Sequence, residues 1–206
     1  MLCRPVRLLI DILHPAHVHF FRYVREDLIC RGHSVTVTSR DKDLTLRLLD
    51  EFAIPHTVLS SQGRGAAGLG AELVARTARL AALARRVRPD AMAGIMGPSI
   101  APAARLLRLP SFVFYDTETA TATNPWVFRL AHRVCVPQGF ECPTPARYER
   151  YPATQEFAYL HPDRFTPDPS RLEAFGLSPG ERFVLARFVS WEASHDRGER
   201  GLSSDG

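Results

Sequence analysis

Three histidines fall within six residues, in the segment His14-Pro15-Ala16-His17-Val18-His19. Their spacing matches no metallohydrolase pattern and no carboxylate stands beside them, so we expect no metal here. A histidine titrates near neutrality and can remove a proton from a hydroxyl group. We predict that His17 is a general base and that His14 and His19 bind substrate. The structural alternatives are a helix cap at His17 and a turn contact at His14.

Two carboxylates, Asp116 and Glu118, bracket Thr117 directly after a predicted strand. Neighbouring carboxylates can hold different protonation states, which is useful for acid and base chemistry. We therefore predict that both are catalytic. For Asp116, capping of the following helix is an equal alternative.

Further polar residues follow other predicted strands. Gly97 and Ser99 precede a helix whose N-terminal amides could receive an anion or a sugar oxygen. Arg40 and Asp43 follow the second strand, and we predict that all four residues bind substrate. The glycines between Ser60 and Gly70 fit no phosphate-binding loop, so we predict a mobile connection there.

Short apolar runs alternate along the chain with segments of helical periodicity. This pattern predicts an α/β fold, a doubly wound, Rossmann-like parallel sheet. The predicted strands are 7–13, 35–38, 56–59, 90–96, 111–115 and 133–136. Ligands bind at the carboxyl ends of such strands, and the candidate residues all lie there. We expect the loops holding His17 and Glu118 to end adjacent strands and to face one cleft.

The helix after the glycine-rich connection carries Arg76, Arg79 and Arg86 away from its apolar stripe. Charged residues in such a position are typical of a solvated helix face. We therefore expect these arginines to be exposed.

Prolines crowd the chain after Pro137, where periodicity is lost. We predict a first domain over 1–137, a connection over 138–180 and the beginning of a truncated second domain over 181–206. Within the last two segments, 171–175 is predicted to be a helix and 183–189 a strand.

Composition excludes several classes of protein. The net charge of +4 comes almost entirely from arginine, a composition bias that predicts no nucleic-acid partner. The four cysteines show no paired spacing, so we expect neither a zinc ribbon nor a disulfide framework. We expect a cytoplasmic protein instead. No apolar run approaches the about 18 residues of a membrane span. Without a GxGxxG fingerprint we expect neither a nicotinamide nor a flavin, and no other cofactor.

Five stretches, spread in order along nearly the whole chain, resemble the prokaryotic family of domain of unknown function 354, predicted glycosyltransferases. They are IDILHPAHVHFFR (10–22), SRDKDLTLRLLDEFAIP (39–55), FVFYDTETA (112–120), YLHPDRFTPDP (159–169) and RFVSWEASHD (187–196). The resemblance implies a two-domain fold of the glycosyltransferase-B (GT-B) type, of which this chain would hold the first Rossmann-like half.

This family is in turn similar to two GT-B groups. In the N-acetylglucosaminyltransferase of peptidoglycan synthesis, a histidine follows the first strand near the reacting sugars, and His17 matches it. In the non-hydrolysing UDP-N-acetylglucosamine 2-epimerases, a glutamate follows the fifth strand, and Glu118 is its counterpart.

The resemblance implies a transferase that moves a sugar from a UDP-linked donor to a hydroxyl of a sugar or glycolipid acceptor. A nucleotide-sugar 2-epimerase and a non-catalytic sugar-binding module are the alternatives. Because one strand cannot build a nucleotide site, we expect the 206-residue chain to fold but not to turn over a nucleotide sugar by itself.

Overall fold

A computed structural model describes residues 4–115, 118, 123–141, 148–178 and 180–186. The chain divides into two compact units, Met1–Tyr159 and Leu160–Gly206. The candidate residues all belong to the first unit. Among the described residues, no helix is both long and apolar enough to cross a membrane.

The described part of the first unit contains a seven-stranded parallel sheet in the order β3-β2-β1-β4-β5-β6-β7. Because all strands are parallel, their carboxyl ends share one edge, here called the carboxyl edge, and their starts share the amino edge. The strands are β1 Arg7–Ile12, β2 Ser34–Asp41, β3 His56–Ser61, β4 Ala91–Ile95, β5 Ser111–Phe114, β6 Arg133–Pro137 and β7 Tyr148–Tyr151.

Among the described residues, five helices connect the strands from β1 to β6, and a sixth, short helix follows β7. They are α1 Pro15–Cys30, α2 Thr45–Glu51, α3 Gly65–Val87, α4 Ile100–Leu107, α5 Asn124–Leu130 and α6 Phe157–Leu160. In the second unit, Pro169–Phe175 forms a 3₁₀ helix where the sequence predicted a helix.

Two buried apolar clusters cover the two faces of the sheet. Side chains alternate between faces along a strand, so Leu9 joins one cluster while Ile10 and Ile12 join the other. Full burial of one such side chain contributes about 1.5 to 3 kcal/mol. A parallel sheet with both faces covered explains the nearly continuous apolar runs from which the strands were predicted.

The structure confirms the α/β Rossmann-like fold and the six predicted strands. The glycine-rich connection is shorter than predicted, because α3 already begins at Gly65 and only three residues lie between it and β3. A Cβ at Gly63 would lie 2.3 Å from the carbonyl oxygen of Gly68. Close approach of the loop to the first turn of α3 therefore explains a glycine there better than mobility does.

The region after residue 137 differs from the sequence prediction in two places. β7 lies within the predicted connection and pairs with β6, so the sheet continues past that boundary. Residues 183–186 of the predicted strand have no regular structure, and 187–189 lie outside the described residues. The second-domain assignment stays a prediction.

Candidate functional site

The candidate site lies where the strand order reverses, at the carboxyl edge. β1 pairs with β2 on one side and with β4 on the other, so the connections leave this point in opposite directions. A crevice opens at such a switch point in doubly wound sheets. The loop after β1 leads to His17, and the loop after β4 contains Gly97 and Ser99. By contrast, β4 separates β5 from β1, so the expectation that the loops of His17 and Glu118 end adjacent strands is wrong.

His14 and His17 shape the start of α1. The Ala16 N–H donates to Nδ1 of His14 (3.2 Å), which therefore caps the helix. The Leu13 N–H donates to Nδ1 of His17 (3.2 Å). Since Nδ1 of His17 accepts this hydrogen bond, the neutral ring carries its proton on Nε2.

His17 is buried, with 8% of its surface exposed. Burial, followed by the positive charges of His14, Lys42 and Arg76, lowers the pKa of His17 to about 3. The imidazole is therefore neutral at pH 7. This arrangement favours a hydrogen-bond donor at Nε2 over a proton acceptor, and a catalytic role for His17 stays a prediction.

His19 lies on another part of α1. Its ring centroid is 5.6 Å from that of Phe52 and 5.3 Å from that of Tyr159, whereas the rings of His14 and His17 are 5.9 Å apart. Partial burial and the nearby Arg22 lower the pKa of His19. The structure thus brings two of the three histidines together and places His19 among aromatic side chains.

The backbone after β4 is held in an unusual conformation. Gly97 has φ +57°, and a Cβ there would lie 2.7 Å from both methyl groups of Val113. The preceding residue, Met96, also has a left-handed φ of 57°, and its carbonyl accepts a hydrogen bond from the Tyr115 hydroxyl (2.6 Å). Ser99 is 1% exposed, and its Oγ finds no hydrogen-bond partner among the described residues. The backbone of this loop is thus held in one conformation, and the Ser99 hydroxyl at its end, beside α4, lacks a hydrogen-bond partner among the described residues.

Arg40 and Asp43 are both engaged with neighbouring charges. Arg40 binds Glu72 in bidentate fashion, Nε to Oε1 at 2.7 Å and Nη2 to Oε2 at 2.5 Å. Burial opposes ionisation of Glu72, but hydrogen bonds from Arg40, Gly63 and Ser60 outweigh it and lower the pKa. Asp43 is exposed, and the Lys42 ammonium at 2.6 Å lowers its pKa. Their predicted contacts with substrate stay predictions.

Sequence reasoning missed a buried ion network beneath the carboxyl edge. Arg76 and Asp11, each 2% exposed, form an ion pair. Asp11 also accepts from the Thr38 hydroxyl (2.6 Å), and Arg76 donates to the Ser39 carbonyl and to Ser60 Oγ (both 2.9 Å). The network continues through Ser60 to Glu72, at 2.7 Å. It fastens α3 to the first three strands of the sequence.

The expectation that Arg76 is solvent-exposed is therefore wrong, although Arg79 and Arg86 are exposed as predicted. The cause is the long side chain of Arg76, which reaches the polar ends of β1 to β3. One sequence signal could have indicated it: Asp11 interrupts an apolar strand, and a buried carboxylate needs a cationic partner.

Glu118 lies on the β6 side of the carboxyl edge and is exposed. Its Oε1 accepts from the Glu141 N–H (3.1 Å), and its carbonyl accepts from the Asn124 amide (3.2 Å). It borders a cavity of about 370 Å³ together with Phe140 and Thr154. Asp116 lies outside the described residues.

Within the ranges given above, no three His, Cys, Asp or Glu side chains come close enough together to hold a metal ion. The expectations of no metal and no cofactor stay predictions.

Solved structures share this fold over a long stretch of the chain. MurG of Acinetobacter baumannii is 24% identical with a TM-score of 0.58, over 71% of this chain and 45% of that protein. UDP-GlcNAc 2-epimerase of Methanocaldococcus jannaschii is 10% identical with a TM-score of 0.53, over 64% and 39%. The glycosyltransferase SsfS6 of Streptomyces sp. SF2575 is 15% identical with a TM-score of 0.50, over 68% and 53%. The fold is thus the Rossmann-like fold of GT-B proteins, and the chain spans about half the length of these neighbours or less.

No curated protein sequence matches the chain. A family model described as "Protein of unknown function (DUF354)" matches residues 6–160, well over half of the sequence. The chain therefore belongs to the DUF354 family, as its sequence motifs indicated.

Proposed function

We propose that this protein transfers a sugar from a UDP-linked donor to a hydroxyl group of a sugar or glycolipid acceptor. The crevice between the loops after β1 and β4 would hold the reacting sugars. Glycosyltransferases and UDP-GlcNAc 2-epimerases among the structural neighbours support a nucleotide-sugar substrate. A further structural neighbour, the UDP-GlcNAc 2-epimerase of Neisseria meningitidis, was solved with UDP-GlcNAc bound.

The state of His17 is the observation that carries this proposal. A buried imidazole that is neutral at pH 7, with Nδ1 engaged by Leu13, presents a fixed N–H donor. Such a donor can stabilise charge that develops on an oxygen during transfer, without reorganising as the reaction proceeds.

The reaction then divides between two kinds of group. The acceptor oxygen forms a bond to the anomeric carbon as the bond from that carbon to the diphosphate breaks, and the acceptor hydroxyl loses its proton. A carboxylate, Glu118 or Asp116, takes the proton. His17 donates through Nε2 to a sugar or phosphate oxygen.

Two substitutions of His17 distinguish donation from proton removal. In His17→Asn, the amide oxygen replaces Nδ1 and keeps an acceptor for the Leu13 N–H, but the donor is lost. In His17→Gln, an amide nitrogen replaces Nε2 as a donor. Loss of one such donor lowers kcat by about 100-fold to 1,000-fold.

In a version of the protein that includes a complete second domain, assayed with UDP-GlcNAc and a panel of sugar acceptors, we expect a loss of this size for the Asn variant and a much smaller loss for the Gln variant. Near-normal turnover of both variants would remove His17 from the reaction. Equal, severe losses in two well-folded variants would instead support a general base.

Epimerisation of the nucleotide sugar is a second candidate function, favoured by the position of Glu118. Its exposed carboxylate follows β5 and borders a cavity, where it could exchange a proton with a sugar carbon. Epimerisation needs no acceptor and leaves the sugar on its nucleotide. Incubation of the same two-domain version with UDP-GlcNAc alone, followed by separation of the nucleotide sugars, distinguishes the two reactions. Glu118→Gln should abolish epimerisation without lowering the melting temperature.

A further inference from the structure

A second cavity opens at the amino edge, on the opposite side of the sheet from the candidate site. It has a volume of about 730 Å³ and lies between the starts of β5 and β6 and the ends of α4 and α5. We call it the arginine cavity, because four arginines line it: Arg105, Arg108, Arg129 and Arg133. His132 adds a fifth basic side chain.

The charges around the arginine cavity do not balance. Of the described residues that line it, none is acidic. Arg133 is paired with Glu149 at 3.0 Å. The C-terminal ends of α4 and α5 each supply about half a negative charge. Arg105 and Arg108 carry two further positive charges, which exceed the charge of the helix ends and favour binding of an anion.

Arg108 stands at a position where glycine would be less strained. It ends α4 with a left-handed φ of 55°, and its N–H and that of Leu109 bond back to Ala104. An L-residue is disfavoured in this conformation, whereas glycine adopts it readily. The arginine that lines the cavity thus occurs in spite of its backbone conformation.

We propose that the arginine cavity binds a multivalent phosphate anion, such as a diphosphate group. Guanidinium groups bind phosphate oxygens in bidentate fashion, and several of them here converge on one space. The volume lies in the usual range of ligand sites. Leu109, Pro110 and Leu130 add apolar surface to the walls of the cavity. A free phosphorylated metabolite and a phosphorylated lipid headgroup share this chemistry.

Calorimetric titration of the full chain with inorganic diphosphate, at constant ionic strength, tests the proposal. We compare Arg105→Gln/Arg108→Gln with Arg85→Gln/Arg86→Gln, a control of equal charge change in the exposed last turn of α3. We expect saturable binding by the natural protein, weakened at least 10-fold by the first pair and less than 2-fold by the second. Equal weakening by both pairs would show a general charge effect and overturn the proposal.

The single variant Arg108→Gly separates ligand binding from folding. Glycine relieves the left-handed conformation, so the melting temperature should stay the same or rise while diphosphate binding weakens. A variant that binds diphosphate as tightly as the natural protein would exclude Arg108 from the site.

Vesicle co-sedimentation distinguishes the two sources of phosphate. Vesicles of phosphatidylcholine alone are compared with vesicles containing phosphatidylcholine and phosphatidic acid at 7:3. Loss of vesicle binding in Arg105→Gln/Arg108→Gln, but not in the α3 control, assigns the cavity to a lipid headgroup. Diphosphate binding without vesicle binding assigns it to a soluble ligand. Binding of neither overturns the proposal.

Discussion

The two edges of the sheet place their charges in opposite ways. At the carboxyl edge, Arg76 and Asp11 are buried against each other, and Arg40 is paired with Glu72. At the amino edge, Arg105 and the other basic residues of the arginine cavity border solvent. A buried charge must be paired to be tolerated, whereas an exposed charge costs little and stays available to a ligand. We therefore expect the carboxyl-edge charges to stabilise the fold and the amino-edge charges to act mainly in binding.

Of the substitutions considered, loss of Arg76 should lower the stability of the fold most. Arg76→Met leaves Asp11 buried without its cationic partner, which should lower the free energy of unfolding by about 3 to 5 kcal/mol. Urea denaturation measures this change. Arg86→Met, an exposed arginine on the same helix, should change stability by less than about 0.5 kcal/mol.

The double variant Asp11→Leu/Arg76→Met sharpens the same comparison. Apolar replacement of a buried ion pair is often neutral or stabilising. Most of the stability lost in Arg76→Met should therefore return. A double variant as unstable as the single one would show that Arg76 acts through Ser39 and Ser60 rather than through Asp11.

A smaller loss is expected at Gly97, where the carboxyl edge is fixed by backbone geometry instead of charge. Gly97→Ala places a Cβ in a left-handed residue and against Val113, so unfolding should become easier by about 2 kcal/mol or more. Gly139→Ala is the control, because a Cβ there meets open space and the backbone is not left-handed. Equal melting temperatures for the two variants would contradict the crowding at Gly97.

Because His17 is buried and neutral, the free energy of unfolding should depend on pH, by an amount similar to the loss expected for Gly97→Ala. Its pKa is about 3 in the folded chain and 6.5 in the unfolded chain, so the unfolded state binds more protons below pH 6.5. Stability should therefore fall with decreasing pH, by about 2 kcal/mol between pH 7 and pH 5 from this residue. The His17→Asn variant should lack this contribution to the pH dependence, whereas the contributions of the other histidines should be the same in both proteins. Parallel stability curves for the two proteins would contradict a buried, neutral His17.

The smallest effect is expected at the amino edge. Arg88 ends α3 with φ 51° and is not among the residues that line the arginine cavity. Arg88→Gly should raise the free energy of unfolding by about 0.5 kcal/mol, the relief of the left-handed conformation less the entropy of glycine. Calorimetric melting measures it. A clear loss of stability would show that an amino-edge arginine also supports the fold.

The sequence predicts the sheet well because β1 and its neighbours are buried on both faces and give continuous apolar runs. It does not reveal the order of the strands, so the separation of β5 from β1 by β4 was missed. Positions such as His17 and Gly97 follow from the rule that loops at the carboxyl edge carry function. Asp11, which interrupts an apolar strand, indicates that a buried carboxylate needs a cation, but helical periodicity does not show that the Arg76 side chain reaches it.

The same pair has a consequence for synthesis of the protein. Asp11 and Arg76 are separated by 65 positions in the sequence. At about 5 to 20 residues per second, roughly 3 to 13 seconds pass between their additions to the growing chain. During that interval the Asp11 carboxylate has no guanidinium partner, so its burial in the ionised form is unfavourable. We therefore expect β1 to reach its final burial only after α3 has been made.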